Sequence, residues 1–541
     1  MVTELSISLK PEDEKNKKII NLAILKALKE KNIPFKDQKI TTTFVKKSID
    51  ARRQQIKIVM RFKVYIGEEP EETENICSKW KKADGKKSVI IVGSGPAGLY
   101  AAFRLFESGI KPIIIERGKS TSIRSVDIDN LTENGVLNEN SNFCFGSGGA
   151  GTFSDGKLYT RSNKRGDIYK IYRIFVEFGA DSKILTDAHP HIGTDKLPTI
   201  INAMENKILE LGGEIHFQTL CTSLLTENQN GKTVLKGVKI KNLNENSDSK
   251  EKEIFADSVI LATGHSASDI YEMIAQIEPK ALEAKTFAVG VRVEHPRALI
   301  DAIQFHGKQM SQAAEYRLAT NVLDRGVYSF CMCPGGYVVP CATKEDQIVV
   351  NGMSSSGRNS EWSNAAIVVE WRAEDIPEEF HRQAEEKNCP ALAGLLWRTW
   401  LEHLTFLNAD GQNAPAQRLT DFIVHKKSTS LPPTSYKPGL VSSELHKWLP
   451  EKIQICLEKG FEQFNQNMKG FVCDDAVLIA SETRTSTPVR ILRNKETLES
   501  PLIENLYPCG EGSGYSGGIG SSAMDGERVA AAISKKFENL K

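Results

Sequence analysis

Apolar and polar residues alternate at 5–9, apolar residues recur at helical spacing through 15–31, and alternation returns at 40–45 and 56–65. This rhythm predicts strand, helix, strand, strand, a small α+β module of the ferredoxin-like kind over residues 1–66. From 67 to 87, Glu, Lys and Asp displace the rhythm and only Ile76 and Trp80 offer an apolar anchor, so a linker is expected there. At 88 the pattern changes again. Val89-Ile-Ile-Val92 is an unbroken apolar run, the mark of a strand buried on both faces, and a second such run, Ile113-Ile-Ile115, follows a helical stretch. A polar, glycine-rich region at about 118–165 reads as ligand-facing loops. Leu197, Ile201, Met204, Ile208 and Leu211 then predict a helix, with Pro198 in its first turn, that stops at Gly212-Gly213. A strand at 214–219, a hairpin-like stretch at 224–254 and a buried strand ending at Ala262-Thr-Gly264 complete the series. Mixed strands and helices fill 266–485. A last strand, glycine loop and helix (521–537) follow Asn505-Leu-Tyr-Pro-Cys-Gly510. The expected class is α/β: a Rossmann-like cofactor domain in two parts, 88–265 and 486–541, with an α+β substrate domain inserted at 266–485.

The turn after the first buried strand carries the chemistry. In Gly93-Ser-Gly95-Pro-Ala-Gly98 the glycines permit a tight turn, close backbone approach to a pyrophosphate, and close packing of the next helix on the sheet. That helix then offers free N–H groups to phosphate. Glu116, ending the second strand, is placed to accept hydrogen bonds from an unphosphorylated ribose. Gly146-Ser-Gly-Gly-Ala-Gly151 and Gly512-Ser-Gly-Tyr-Ser-Gly517 fit the same formal pattern without the flanking strand and acid. They read as loops where backbone must pass close to a ligand.

Composition narrows the function classes. A chain of 541 residues predicts roughly two to four domains, and a net charge of +1 gives no general case for nucleic acid or membrane binding. No apolar run approaches the roughly 20 residues a membrane span needs, and the first residues lack a basic region followed by an apolar core, so a cytoplasmic location is expected. The ten cysteines include no Cys-x-x-Cys, and no set with metal-ligand spacing is found.

The order Gly93-x-Gly95-Pro96-Ala97-Gly98, Glu116-Arg117, Ala262-Thr-Gly264 and Tyr507-Pro-Cys-Gly510-Glu511 resembles the FAD-dependent oxidoreductases of the glutathione-reductase-like superfamily. Further blocks, among them Gly148-Gly-Ala-Gly151-Thr152-Phe-Ser-Asp155-Gly-Lys157, Gly290-Val-Arg292-Val-Glu-His295-Pro and Gly510-Glu-Gly-Ser-Gly-Tyr515-Ser-Gly-Gly518-Ile519, resemble a family of bacterial FAD-dependent dehydrogenases over nearly the whole chain. The resemblance implies noncovalent FAD: Gly93, Gly95 and Gly98 on the pyrophosphate with Pro96 and Ala97 in the same turn, Glu116 on the adenosine ribose, and Arg117 beside adenine. It also implies Gly149, Gly151 and Thr152 near the pyrophosphate or flavin ring, Gly264 at the end of the third strand, and Gly510, Glu511, Gly518 and Ile519 closing the site. Glu511 stands where many relatives carry Asp.

Flavin itself carries out hydride or electron transfer, so the remaining candidates are substrate groups. Arg292, Arg358 and Arg484 can clamp a carboxylate or phosphate, with Arg358, near Asn351 and Ser354, the leading anchor. His295 and His265 can exchange protons near neutral pH. Arg358, His295 and Arg292 form the expected catalytic set. Cys331 and Cys333 are the closest cysteine pair, but strand alternation would point them to opposite faces. Tyr515 is read as stacking. Lys46, Lys47, Arg52 and Arg53 read as a solvated face, with the module packing on the flavin domain or docking a protein partner. The expected activity is hydride transfer between FAD and a small organic substrate, a carboxylate among the candidates, with NADH or NADPH docking transiently as electron donor. A flavin-dependent RNA-modifying protein and a flavin-binding sensor or assembly protein with little turnover are the alternatives.

Overall fold

The architecture was taken from a computed structural model that describes residues 1–70, 75–160, 166–244 and 250–539. Small parts of the expected linker, the polar region at 118–165 and the hairpin at 224–254 therefore lie outside the described residues.

At the N-terminus, Val2–Leu9, Ile40–Asp50 and Lys57–Ile66 form an antiparallel sheet with Lys57–Ile66 in the middle. Alternation puts Leu5, Ile7 and Leu9 beside Ile58, Met60, Phe62 and Val64 on one face, where Ile24 and Leu28 of the helix Lys17–Glu30 cover them. Asn16 caps that helix by accepting from the N–H groups of Lys18 and Ile19. The module is thus the β-α-β-β opening of a ferredoxin-like order, with no second α-helix or fourth strand before residue 70. Backbone bonds between Lys47 and both Thr186 and Ala188 dock it on the rest of the chain.

The unbroken apolar runs assemble as a five-stranded parallel sheet in the order Leu506–Pro508, Ser258–Leu261, Ser88–Val92, Lys111–Ile115, Glu214–His216. Strands more than 400 residues apart in sequence thereby share one layer. The helix Pro96–Phe106 packs beside Ile519–Asn539, and a Cβ at Gly526 would lie 2.1 Å from the carbonyl oxygen of Ala97. Only glycine permits that approach.

A second sheet of seven strands is mostly antiparallel, with Phe287–Pro296 between Trp362–Trp371 and Val477–Glu482. Arg325–Cys333 pairs with the outer edge of Trp362–Trp371, and its register slips between Phe330 and Cys333. The region expected as loops at 118–165 contains a 14-residue helix, Thr121–Asn134. Its apolar periodicity is weak because a buried arginine, Arg124, joins Ile128 and Leu131 on the inward face. Among the described residues no helix is long and apolar enough to cross a membrane.

Candidate active site

Two helix N-termini and two glycine loops border a cavity of about 350 Å³ between the sheets. The helix Pro96–Phe106 starts at Gly95, where no side chain caps the first N–H groups, and Ile519–Asn539 starts beside Gly518. Unpaired N–H groups and the helix dipoles make both ends favourable for an anion. Gly93 has φ 106°, and a Cβ there would lie 2.4 Å from the carbonyl oxygen of Ala262. A Cβ at Gly149 would lie 2.9 Å from the Cα of Gly95. Side chains at these positions would force the loops apart.

Gly93, Gly95, Pro96, Ala97, Glu116, Arg117, Gly149, Gly151, Gly264, Glu511, Gly518 and Ile519 line this cavity. Gly98, Thr152 and Gly510 stand behind the wall instead. A Cβ at Gly98 would meet the Gly93 carbonyl oxygen at 2.1 Å, Thr152 Oγ1 donates to the Ser147 carbonyl at 2.9 Å, and the Gly510 N–H donates to Asp525 at 2.8 Å. These three shape the loops. Glu116 Oε2 accepts from the N–H and hydroxyl of Ser94, both at 2.9 Å, and Oε1 accepts from the N–H groups of Gly118 at 2.9 Å and Gly146 at 3.0 Å. The carboxylate ties the glycine loops together, and a ribose hydroxyl has to share an oxygen that already takes two donors. Arg117 pairs with Asp269 and lies over the Phe145 ring at 4.4 Å. The donor set suits a dinucleotide: helix ends for a pyrophosphate, an acid and a stacked arginine beside them, and a polar recess beyond.

Two buried groups that brace this cradle carry no motif. Arg124, fully buried, donates to the carbonyls of Asn142, Phe143, Ser147 and Gly149, holding the second glycine loop. Glu205, on the helix Leu197–Glu210, accepts from the Ser147 hydroxyl at 2.5 Å, and burial pushes its carboxyl up to about 7. A raised carboxyl favours folding while protonated, so its contribution is intact below the ordinary value of 4.5 and is lost as pH rises through about 7. We expect Glu205→Gln to gain about 3 kcal/mol relative to the natural chain between pH 4.5 and pH 8. Urea unfolding at the two pH values checks this, and a pH-independent difference would refute it.

Lys157, Cys331, Asn351 and Glu482 form the polar recess. The expected catalytic set is placed otherwise. Arg292 has no exposed surface: its Nε donates to Glu482 at 3.1 Å, Nη1 to Asn364 at 2.6 Å and Nη2 to Asn351 at 3.1 Å. It organises the recess from behind, because its strand is buried between two neighbours. Arg358, with φ 50°, donates to Asp155 at 2.9 and 3.3 Å and to Glu315 at 2.6 Å. Its fork is filled by two carboxylates and it does not line the cavity. His295 is sealed against Phe471, with Nε2 2.7 Å from that carbonyl oxygen, and burial pushes it down to about 4, so it stays neutral near pH 7. His265 does border the cavity, with Nδ1 3.5 Å from Glu511. Arg484 also reaches the wall, but Glu402 holds it at 2.9 and 3.1 Å. Tyr515 lies beneath the Arg493 guanidinium at 3.7 Å, and its hydroxyl accepts from the Arg493 N–H.

Residues 87–295 match the family described as pyridine nucleotide-disulphide oxidoreductase, 286–485 match the FAD-dependent protein C-terminal domain-like family, and 1–65 match a domain of unknown function. An uncharacterized protein of Clostridium beijerinckii is 37% identical over 519 residues, spanning 91% of this chain and 92% of that protein. Among solved structures, a geranylgeranyl bacteriochlorophyll reductase-like protein of Thermoplasma acidophilum is 11% identical with a TM-score of 0.36, and covers 84% of this chain and 79% of that one. A flavoprotein/dehydrogenase of Cytophaga hutchinsonii gives the same figures. With a full-length relative at that identity and both oxidoreductase domains in place, the chain belongs to the bacterial family of FAD-dependent oxidoreductases that includes the Clostridium beijerinckii protein.

Proposed function

We propose that the protein moves a hydride between its flavin and a small organic molecule received in the recess of Lys157 and Asn351. The observation behind this reading is that the cavity does not end at the glycine cradle but continues to a wall from the seven-stranded sheet. FAD supplies the hydride chemistry when bound. The chain's own residues orient the substrate: Lys157, 3.4 Å from Asp155 but on the cavity wall, offers a positive charge to a carboxylate, and Asn351, fixed by Arg292, offers an amide. This assigns to Lys157 the anchoring role first expected of Arg358. Lys47 is engaged by Glu14 at 2.7 Å and Arg52 by Asp50 at 2.6 Å, which leaves the RNA-modifying alternative without support.

Anaerobic titration of the yellow protein with NADH and then NADPH tests the reading. Rapid bleaching of the flavin band is the expected result, with acceptors then screened among unsaturated carboxylates. A band that persists with both donors and with reduced candidate substrates would remove hydride transfer and favour the sensor alternative.

A further inference from the structure

Cys331 and Cys333 were expected on opposite faces of a strand, but the strand is not regular there. The register of Arg325–Cys333 against Trp362–Trp371 slips between Phe330 and Cys333, and Cys331 takes φ 43°. The bulge breaks alternation and turns both sulfurs toward one ammonium: Lys157 Nζ lies 3.9 Å from Cys331 Sγ and 3.6 Å from Cys333 Sγ. The two thiols are not equivalent. Cys331 borders the cavity and is half-buried, whereas Cys333 is fully buried and its S–H donates to the Cys331 carbonyl at 3.3 Å.

We propose that Cys331, backed by Lys157, is a thiol-exchange site in the cavity wall that takes small organic disulfides. The two cysteines lie in the seven-stranded sheet, outside residues 87–295 that match the disulphide-oxidoreductase domain, while Lys157 falls within them, and the proposal does not rest on the hydride reading. Its reaction is exchange. The Cys331 thiolate attacks one sulfur of R–S–S–R, a Cys331–S–S–R bond forms as the original S–S bond breaks, and RS⁻ leaves with the electron pair and takes a proton from water. Cys331 is oxidised and the incoming disulfide is reduced by the same two electrons, so no further reagent is required.

The charges around the sulfur favour the nucleophile. The neighbouring Cys333 thiol, then Lys157 from the 154–157 loop and Arg292 from Phe287–Pro296, whose Nη1 donates to the Cys331 carbonyl at 3.4 Å, outweigh burial and hold the thiol well below its ordinary range. Asp155 and Glu482 oppose them: Asp155 is shared between Arg358 at 2.9 Å and Lys157 itself at 3.4 Å, and Glu482 is held by Arg292 at 3.1 Å. Cys333 moves the other way, because its hydrogen bond with Cys331, its burial and its neighbour's charge keep it a thiol. A low thiol, accessible from a cavity and adjacent to a cation, is the environment in which cysteine reacts.

The test uses the full-length protein with its flavin, 4,4′-dithiodipyridine as probe, thiopyridone release as readout, and peptide mass mapping to assign the sulfur. At pH 7 one thiol should react at least about tenfold faster than the others, map to Cys331, and show a rate midpoint below about 8.5. Cys331→Ser should lack that phase. Lys157→Met should slow it at least about tenfold at pH 7 while leaving the rate at pH 10 nearly unchanged, and Asp155 keeps Arg358 as partner in that variant. A fast thiol mapped to Cys144, which also borders the cavity and lies 3.4 Å from Cys341 Sγ, or to any other cysteine, a rate midpoint at or above the ordinary thiol value, or an unchanged rate in Lys157→Met would overturn the proposal. The first two readings need only the natural chain. No hydride donor or carboxylate is present, so the outcome is separate from that of the flavin titration.

Discussion

Gly93→Ala is expected to give colourless protein. The residue sits at φ 106°, where an L side chain is strained, and its Cβ would be 2.4 Å from the Ala262 carbonyl oxygen, with backbone rather than a flexible side chain in the way. Strain of this kind costs about 1–3 kcal/mol before the clash is counted. The clash has only one relief, movement of the turn away from the Ala262 strand end. That movement carries Gly95 and the first N–H groups of the helix Pro96–Phe106 with it, and these are the groups placed for the pyrophosphate. Flavin retention after gel filtration, read near about 450 nm, should therefore fall at least about tenfold. Gly231→Ala separates strain from site. It has φ 80° with nothing within 4 Å of a Cβ, in the turn between Thr219–Gln229 and Lys232–Asn242, and should cost about 1 kcal/mol and keep its flavin. Full flavin retention in Gly93→Ala would remove the dinucleotide from this cradle.

The contrast between Gly93 and Arg124 shows what a sequence discloses. Gly93, Gly95 and Glu116 belong to one local unit whose spacing follows from a strand, a turn and a helix, so residue type and order suffice to place them at the cavity. The parallel strands were legible for a related reason: burial on both faces leaves Val89-Ile-Ile-Val92 and Ile113-Ile-Ile115 with no polar positions. The seven-stranded sheet was not. Phe287–Pro296 pairs with Val477–Glu482 across nearly 190 residues, and nothing local in either segment specifies the partner. That pairing decides the fate of Arg292 and His295, which look available in a short polar motif but lie inside a sheet with both edges covered. Cys331 escaped for the opposite reason, because a bulge overrides the alternation that the sequence otherwise obeys. Nothing local in the helix Leu197–Glu210 marks Glu205. Its partner, Ser147, comes from a loop 58 residues away.

Arg124→Met is expected to be the most damaging substitution outside the glycines. Among the described residues its guanidinium has no carboxylate in hydrogen-bond contact; it is held by carbonyl oxygens of Asn142, Phe143, Ser147 and Gly149, at 2.7 to 3.1 Å. Burial pushes the group down to about 10, with the charges of Glu116 and Glu205 opposing that shift. Methionine fills much of the space but donates nothing, so the carbonyls of Asn142 and Phe143 lose their donor, while those of Ser147 and Gly149 keep Thr152 Oγ1 and the Thr152 N–H. An orphaned buried polar group costs about 1–3 kcal/mol, and even partial relaxation of the loop leaves a loss of at least about 3 kcal/mol. The loss should not be confined to stability. Gly149 is both an Arg124 acceptor and the residue whose Cα faces Gly95, so a loop that relaxes toward water withdraws one wall of the cradle. Flavin affinity and the urea midpoint should therefore fall together in Arg124→Met. Arg124→Lys should recover only a small part, since a point ammonium cannot reach carbonyls spread around a planar fork. An unfolding midpoint in saturating FAD equal to that of the natural chain would show that the loop stands without Arg124. A lowered midpoint with undiminished flavin affinity would separate the brace from the cradle it is argued to hold.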